Sequence, residues 1–221
     1  PGTAVDAGVR DARIDLRIDG ETVNSTVRWD SERAGSVQAE FRTRLVRDAA
    51  GWDWPLAAPL NGSVQARLPQ VGVWSLLAPP GWRRRGTLDA GLTLAGTRQA
   101  PDWSGRLQAD GLALRSVVDG IEFGNGRLRA RMQGQRLFIE EFLLQGAGVA
   151  AGGTLSATGH AQWVPGSDSE GGTLSRIQID LDAQAQALRV SARADRRLVV
   201  SGQLQARLRS NRLDVQGRLQ A

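Results

Sequence analysis

Apolar residues recur at every second position along most of this chain, and no other feature limits its possible folds as strongly. Successive side chains of an extended strand point to opposite faces, so a period of two places the apolar residues on one face. One long run alternates Ile177, Ile179 and Leu181 with Gln178 and Asp180. Similar runs lie around residues 12–18, 23–29, 37–45, 64–68, 88–94, 103–109, 112–114, 128–132, 137–144, 154–163, 198–208 and 213–221. The sequence therefore predicts an all-β protein.

A short glycine-led pattern underlies these runs. The pattern Gly-x-(Leu/Val)-x-Ala begins at Gly35, Gly62, Gly86, Gly105, Gly126, Gly153, Gly202 and Gly217. Its unequal spacing disfavours a solenoid of fixed period and favours an antiparallel meander of unequal hairpins. Glycine tolerates bulges at strand starts, and large and small residues on one face fill a narrow space.

The apolar parity switches at three places, which would turn the apolar side outward unless the backbone compensates. We predict a β-bulge or tight turn at Asp110-Gly111 and at Ala187-Leu188. The third switch, at Ser210-Asn211, indicates a hairpin turn.

Two segments depart from the strand pattern. Val71, Trp74 and Leu77 lie three residues apart before Pro79-Pro80, which predicts one short helix at about residues 70–78. The composition of residues 164–174 predicts a flexible loop. Because the chain opens without Met and ends inside a strand pattern, we expect residues 1–221 to be a single β-rich domain from a longer repetitive chain.

The charged and reactive residues do not suggest catalysis. The net charge is +5, but arginines alternate with aspartates, as in 13–19, which is typical of a self-neutralising solvated surface. No nucleic-acid partner is therefore expected. Cysteine is absent and the one histidine, His160, lies at a polar position of its strand. We expect no catalytic residues, no metal site, no cofactor and no enzyme activity.

Alternation alone leaves the overall shape open. A sheet with one apolar face buries it by closing as a barrel, by pairing as a sandwich, or by curling as an open trough. Trp29, Trp103 and Trp163 share the apolar parity of their strands, as either core or groove lining.

The segment from Gly86 to Trp163 resembles the C-terminal domain of the TamB family, the inner-membrane-anchored partner in the translocation and assembly module of Gram-negative bacteria. The resemblance lies in the order of several motifs. They are Gly-Thr-Leu-Asp-Ala-Gly-Leu-Thr-Leu-Ala-Gly (86–96), Pro101, Trp-Ser-Gly-Arg-Leu-Gln-Ala-Asp-Gly-Leu-Ala-Leu (103–114), Gly-Ile-Glu-Phe (120–123), Gly-Arg-Leu (126–128), Leu-Phe-Ile (137–139) and Gly-Gly-Thr-Leu (152–155). The Leu-Pro and tryptophan-bearing segment 68–78 is also similar to that family, and AsmA-like lipid-conduit proteins share the repeat style.

This resemblance implies an elongated sheet curled lengthwise into a U-shaped trough with an apolar concave face. It also implies a periplasmic location, a full-length protein anchored in the inner membrane by a segment outside this chain, and a TamA-like outer-membrane barrel partner engaged by other parts. The residues that we expect to line the groove are Leu88, Leu92, Leu94, Trp103, Leu107, Leu112, Leu114, Ile121, Phe123, Leu128, Met132, Leu137, Ile139, Leu155, Trp163, Ile177, Ile179 and Leu181.

Three functions fit these expectations. The first is a hydrophobic groove that carries phospholipid between the inner and outer membranes, because an acyl chain gains about 0.8 kcal/mol per buried CH₂. The second is a chaperone that accepts strands of outer-membrane proteins in the groove or at an open strand edge. The third is a structural β-rod with a filled core and no ligand.

Overall fold

The protein is built from strands throughout the part of the chain that the structure describes. The computed structural model describes residues 8–49, 51–70, 82–116, 120–146, 152–163, 177–191, 198–209 and 212–220. Within these ranges there are fourteen strands and no helix. The strands are β1 (Val9–Asp19), β2 (Thr22–Ser31), β3 (Gly35–Arg44), β4 (Val46–Asp48), β5 (Gly51–Asp53), β6 (Asn61–Leu68), β7 (Trp82–Gly96), β8 (Pro101–Ser116), β9 (Ile121–Gly134), β10 (Arg136–Gly146), β11 (Thr154–Trp163), β12 (Ile177–Arg189), β13 (Val199–Arg209) and β14 (Arg212–Gln220).

Twelve of these strands form one antiparallel meander. The order is β1-β2-β3-β6-β7-β8-β9-β10-β11-β12-β13-β14, and β4 and β5 form a separate two-stranded hairpin. Strands β1 and β14 lie at opposite edges of the large sheet and do not pair with each other, so the sheet is not closed. The predicted all-β antiparallel meander is confirmed.

The strand register aligns the alternating apolar positions of neighbouring strands. Residues directly opposite each other in an antiparallel ladder share a face of the sheet. Leu92 in β7 lies opposite Val64 in β6 and Gly105 in β8, and Gly105 in turn lies opposite Met132 in β9. We call the lines of apolar residues connected in this way the apolar rows.

Few large side chains are buried in this fold. Among the described residues, the buried apolar side chains are Ala34, Ala39, Ala58, Leu94, Ala109, Ala130, Ala185 and Leu188. The chain exposes 14834 Å², against about 9,800 Å² for a compact monomer of the same mass. This sheet therefore lacks the deep core of a sandwich or a small barrel.

Bulges restore the apolar parity where the sequence switches it. The β8–β9 register shifts between Asp110 and Leu112, where Gly111 has a φ of +61°. The β12–β13 register shifts between Ala185 and Leu188, and Ala187 has a φ of +45°. Both predicted bulges are confirmed. At the third switch Arg209 pairs with Arg212, as a hairpin requires, although residues 210–211 lie outside the described residues.

Two predicted segments fall where the structure gives no description. The predicted helix at 70–78 lies almost entirely within residues 71–81, and the predicted loop at 164–174 lies within residues 164–176. Residues 71–78 and 164–174 are outside the described residues, so the helix and the loop both stay predictions. Strands β4 and β5 pair only with each other, so the large sheet does not include every described strand.

Candidate functional site

The apolar rows run across the whole large sheet without interruption. Two of them contain one residue from each of the twelve strands, and every member is apolar or glycine. The first is Ile14, Val27, Ala39, Val64, Leu92, Gly105, Met132, Leu137, Ala161, Ile179, Leu208 and Leu213. The second is Ala12, Trp29, Val37, Ala66, Ala90, Leu107, Ala130, Ile139, Gly159, Leu181, Ala206 and Val215.

The register also places the other residues that the sequence predicts for the groove. Leu94 lies opposite Trp103, and Leu114 lies opposite Phe123. The remaining direct pairings are Leu88 with Ala109, Leu128 with Ala109 and Phe142, Leu112 with Gly126, Leu155 with Leu144 and Ala185, and Trp163 with Ile177. Ile121 differs from the rest, because its partners are Ser116 and Ser191 and not apolar residues.

Glycine and alanine recur among the large residues of the rows, and large side chains pack over the glycines. A Cβ at Gly126 would lie 2.4 Å from Leu144 Cδ2 and 2.7 Å from Leu112 Cβ. A Cβ at Gly62 would lie 2.6 Å from Phe41 Cδ1. These glycines of the repeated pattern therefore provide the space that their large neighbours occupy.

Most large side chains of the rows are only half-buried, although Leu94 is buried. Leu92, Leu107, Leu128 and Met132 are all of intermediate exposure, and Trp163 is 43% exposed. Their neighbours within the sheet cover their sides, but no second layer among the described residues seals their outer surfaces. Such a surface can receive an apolar ligand without unfolding the sheet.

Phe142 and Leu144 are also members of these rows, but the prediction from sequence did not include them. The β9–β10 register shifts between Ile139 and Glu141, after which Phe142 lies opposite Leu128. A signal was present in the two adjacent glutamates, 140 and 141, which interrupt the odd-numbered apolar positions. Phe138, by contrast, lies on the other side of β10, where the Arg131 guanidinium stands 5.0 Å from its ring centroid.

Ion pairs neutralise much of the opposite, polar side. Arg129 Nη2 donates to Asp110 Oδ1 at 2.8 Å, and this hydrogen bond raises the pKa of Arg129 above its ordinary value. Arg131 Nε lies 3.0 Å from Glu140 Oε1. Arg129 and Arg131 are therefore paired with carboxylates of the same chain. The net charge of +5 does not make these two arginines available for binding anions.

Asp180 is the centre of a second polar cluster. The hydrogen bond from Arg209 holds the pKa of this carboxyl below its ordinary value, with smaller contributions from the charges of Arg209, His160 and Arg207. His160 Nε2 lies 3.3 Å from Asp180 Oδ2. The histidine is therefore half-buried against an acidic partner instead of fully solvated.

A shallow depression also lies on the polar side. Its volume is about 770 Å³, and its lining includes Gln65, Arg67, Asp89, Arg106, Gln108 and Gln133. Gly91 is part of the lining, and because glycine has no side chain it leaves space there. Most of its lining is polar and carries both charges, although Ala66, Ala90, Gly105 and Met132 of the apolar rows also contribute, so it does not mark the predicted groove.

Of two tryptophans outside the rows, Trp54 connects the end of the small hairpin to the large sheet, and Trp52 makes its contact within the hairpin. Trp54 Nε1 donates to Thr43 Oγ1 at 2.9 Å, and the Arg98 guanidinium lies 4.8 Å from the Trp54 ring centroid. Arg47 lies 5.8 Å from the ring centroid of Trp52. Their contacts indicate a structural role for these two side chains.

The described residues contain no cluster of three or more His, Cys, Asp or Glu side chains arranged to hold a metal ion. The same residues include no helix with the length and apolar character needed to cross a membrane. Neither result adds a second candidate site to the apolar rows.

The fold and its surface define a class of protein: an open antiparallel meander with continuous apolar rows on one side and paired charges on the other. Residues 144–221 match the family described as TamB C-terminal domain, and the resemblance to the TamB family is thereby confirmed. The match covers the end of β10 and strands β11–β14. It overlaps the segment from Gly86 to Trp163 at residues 144–163, which contain only the last of the quoted motifs, at 152–155. The TamB family belongs to the bacterial envelope, where it is associated with lipid or protein transport. No curated protein and no solved structure matches the chain.

Proposed function

We propose that this protein is a non-enzymatic envelope component whose apolar rows form a track for phospholipid acyl chains between the inner and outer membranes. The observation that carries this proposal is the continuity of the rows. They cross twelve strands with apolar or glycine members, and their large side chains are left half-exposed. A sealed β-rod would require those side chains to be covered.

The physical chemistry of an acyl chain suits this surface. Each CH₂ that leaves water contributes about 0.8 kcal/mol and requires no polar partner on the protein. Strands lie about 4.8 Å apart, so twelve strands extend on the order of 50 Å, which exceeds the roughly 30 Å hydrocarbon core of a bilayer. Sheets twist and coil as strands are added. The proposed shape is a lengthwise trough with the apolar rows on its concave side.

The proposed setting follows from the family. We place the chain in the periplasm, as part of a protein anchored in the inner membrane by a segment outside this sequence. A TamA-like barrel of the outer membrane is the proposed partner of other parts of that protein. In this arrangement headgroups remain in water while acyl chains lie along the rows.

Native mass spectrometry of freshly purified protein tests the track directly. We expect adducts whose masses equal those of phospholipids, and we expect a fluorescent fatty acid added to delipidated protein to be displaced by phospholipid vesicles. Protein that is free of lipid and does not bind the fatty acid would contradict the proposal and favour the structural β-rod.

A second function, assembly of outer-membrane strands, is favoured by a different observation. Strand β1 is exposed along its whole length and pairs only with β2 among the described strands, which favours addition of a strand from another protein at its outer edge. A synthetic amphipathic strand peptide distinguishes the two functions. Saturable binding of the peptide that leaves the bound fatty acid in place supports strand assembly, whereas competition between them indicates one shared groove.

A further inference from the structure

The apolar side of the large sheet extends to a rim formed by hairpin turns. Strands β7 and β9 end, and β8 and β10 begin, at the same side of the antiparallel sheet, and β11 ends beside them. The backbone N–H of Trp163 donates to the carbonyl oxygen of Gln135 at 3.0 Å, which joins the end of β11 to the β9–β10 turn. We call this edge the turn rim; it comprises the β7–β8 turn (96–101), the β9–β10 turn (134–136) and Trp163.

Tryptophan replaces aliphatic residues where the apolar side reaches the turn rim. From β6 to β12 the two complete rows contain only aliphatic residues, Met and Gly. Two residues closer to the rim lie Trp103, beyond Gly105 in β8, and Trp163, beyond Ala161 in β11. Trp163 is 43% exposed. An indole has an apolar body and a polar N–H, so tryptophan is enriched where hydrocarbon meets lipid headgroups.

Two arginines also lie at the turn rim. Arg98, in the β7–β8 turn, donates to the carbonyl oxygen of Trp54, and its guanidinium carbon lies 4.8 Å from the Trp54 ring centroid. Arg136 begins β10, and its Nε donates to Gln162 Oε1 at 2.9 Å. Both arginines are exposed. These contacts use only part of the five N–H donors of each guanidinium, so donors remain for a ligand.

The charges of these two arginines are not neutralised by a carboxylate in the part of the chain that the structure describes. Arg129, by contrast, lies on the polar side of β9 and pairs with Asp110. Asp102 lies on the turn rim, but it forms no ion pair with Arg98 or Arg136. A guanidinium without a carboxylate partner is suited to phosphate, because its planar fork of N–H donors matches two phosphate oxygens.

The order of residue types towards this rim matches the order of chemical groups in a phospholipid. Aliphatic rows suit acyl chains, tryptophans suit the boundary between chain and headgroup, and arginines suit the phosphate. A site for free phosphate would require no aliphatic or tryptophan surface beside it. The sequence of surfaces therefore favours a phosphate that is attached to an acyl chain.

We propose that the turn rim is the headgroup site of the lipid track, where Arg98 and Arg136 bind the phosphate of phospholipids whose acyl chains lie on the aliphatic rows. This inference rests on the proposed track, and it adds a preference for lipids that carry phosphate. Trp103 and Trp163 lie between the two regions and contact the part of the lipid that joins headgroup and chain.

Two fluorescent lipids that differ only in the headgroup test this rim on the delipidated protein. One is a lysophosphatidylglycerol, and the other is a monoacylglycerol with the same labelled acyl chain. We expect the unmodified protein to bind the lysophospholipid about tenfold more tightly at low salt. Arg98→Gln/Arg136→Gln should lose this preference and bind the monoacylglycerol as tightly as the unmodified protein does.

The matched control is Arg106→Gln, which removes the same charge from the middle of β8. Arg106 is exposed and, like the rim arginines, has no ion pair among the described residues. Its replacement should leave both affinities unchanged. Arg136→Gln alone separates binding from folding, because Arg136 does not hold Trp54. It should weaken lysophospholipid binding about threefold without changing the circular dichroism spectrum.

Each way in which this test can fail identifies the proposal that is wrong. Equal affinities of the unmodified protein for the two lipids, or an equal loss in Arg106→Gln, would overturn the headgroup site and leave the track standing. Absence of binding by either lipid would refute the track and the rim together. Inorganic phosphate at millimolar concentration should displace little lysophospholipid. Complete displacement would show that free phosphate is the ligand, and the lipid assignment would then be wrong.

Discussion

At the scale of single residues, glycines of the apolar rows are expected to be replaceable only where space exists. Gly126→Ala should destabilise the protein by about 1–3 kcal/mol, because the added Cβ overpacks the site against Leu112 and Leu144. Gly91→Ala is the matched control, since a Cβ there meets nothing within 4 Å. Urea unfolding of both variants measures the difference. Equal losses of stability in the two variants would show that glycine is needed for its backbone conformation and not for the space that it leaves to neighbouring side chains.

Asp180 should give the stability of the fold a pH dependence. Because Arg209 lowers the pKa of this carboxyl in the folded state, its stabilising effect is present above the unfolded pKa of about 3.9. That effect is lost as the pH falls through the lower folded pKa. Asp180→Asn should therefore reduce the melting temperature at pH 7, and the gap to the unmodified protein should shrink below about pH 4.

Asp182→Asn provides the control for this pH series. Asp182 lies two residues further along β12, is exposed, and has no ion pair among the described residues. Asp182→Asn should change the melting temperature only slightly, and by the same amount at every pH in this range. If the difference in melting temperature between Asp180→Asn and the unmodified protein stayed constant down to pH 2, the assigned role of Arg209 would be contradicted.

At the scale of strands, the sequence predicts best where one parity is strictly apolar. In β12 the odd-numbered apolar residues from Ile177 to Ala185 all pair as the alternation requires, and the switch at Ala187 appears as a bulge. In β10 apolar residues occupy both odd and even positions from Leu137 to Leu144. Alternation therefore cannot identify which side of the sheet each of these residues faces. This ambiguity explains why the bulge after Ile139 and the membership of Phe142 were missed.

Pairing between strands was predictable only in outline. A meander of hairpins follows from short connections and antiparallel neighbours, and the structure confirms it. Strands β4 and β5 lie outside the sheet, and Trp54 beside them contacts Thr43 and Arg98; no periodicity encodes such side-chain contacts. Parity places a residue on a side of the sheet, but it does not determine whether that side is covered.

At the scale of the whole molecule, the central question is whether the apolar rows function as a sealed core or as an open surface. The described fold has a single large sheet, and its buried apolar residues are mostly alanine. Alanine contributes little area, so much of the stability must come from large side chains that pack beside each other within the rows. Those side chains retain an outer surface on which a ligand can lie.

Carboxylates placed on three adjacent strands distinguish an open surface from a sealed core. Leu92→Asp, Leu107→Asp and Leu128→Asp each alter a half-buried member of the rows in β7, β8 and β9. On an open surface the new carboxylate reaches water, so we expect the melting temperature to fall by only a few degrees, about the effect of 1 kcal/mol or less in a domain of this size. The interrupted row should bind a fluorescent fatty acid more weakly.

The control for these variants is Thr93→Asp, which adds a carboxylate beside Leu92 on the exposed polar side of the same strand. It should leave fatty-acid binding unchanged, so any loss in the row variants reports the apolar surface and not general charge. In a sealed core an unpaired carboxylate costs several kcal/mol, a large share of the roughly 5–15 kcal/mol that keeps a domain folded. Unfolding of all three row variants while Thr93→Asp stays folded would therefore rule out the open surface. The lipid track would fall with it, because acyl chains cannot enter rows that the protein itself has filled.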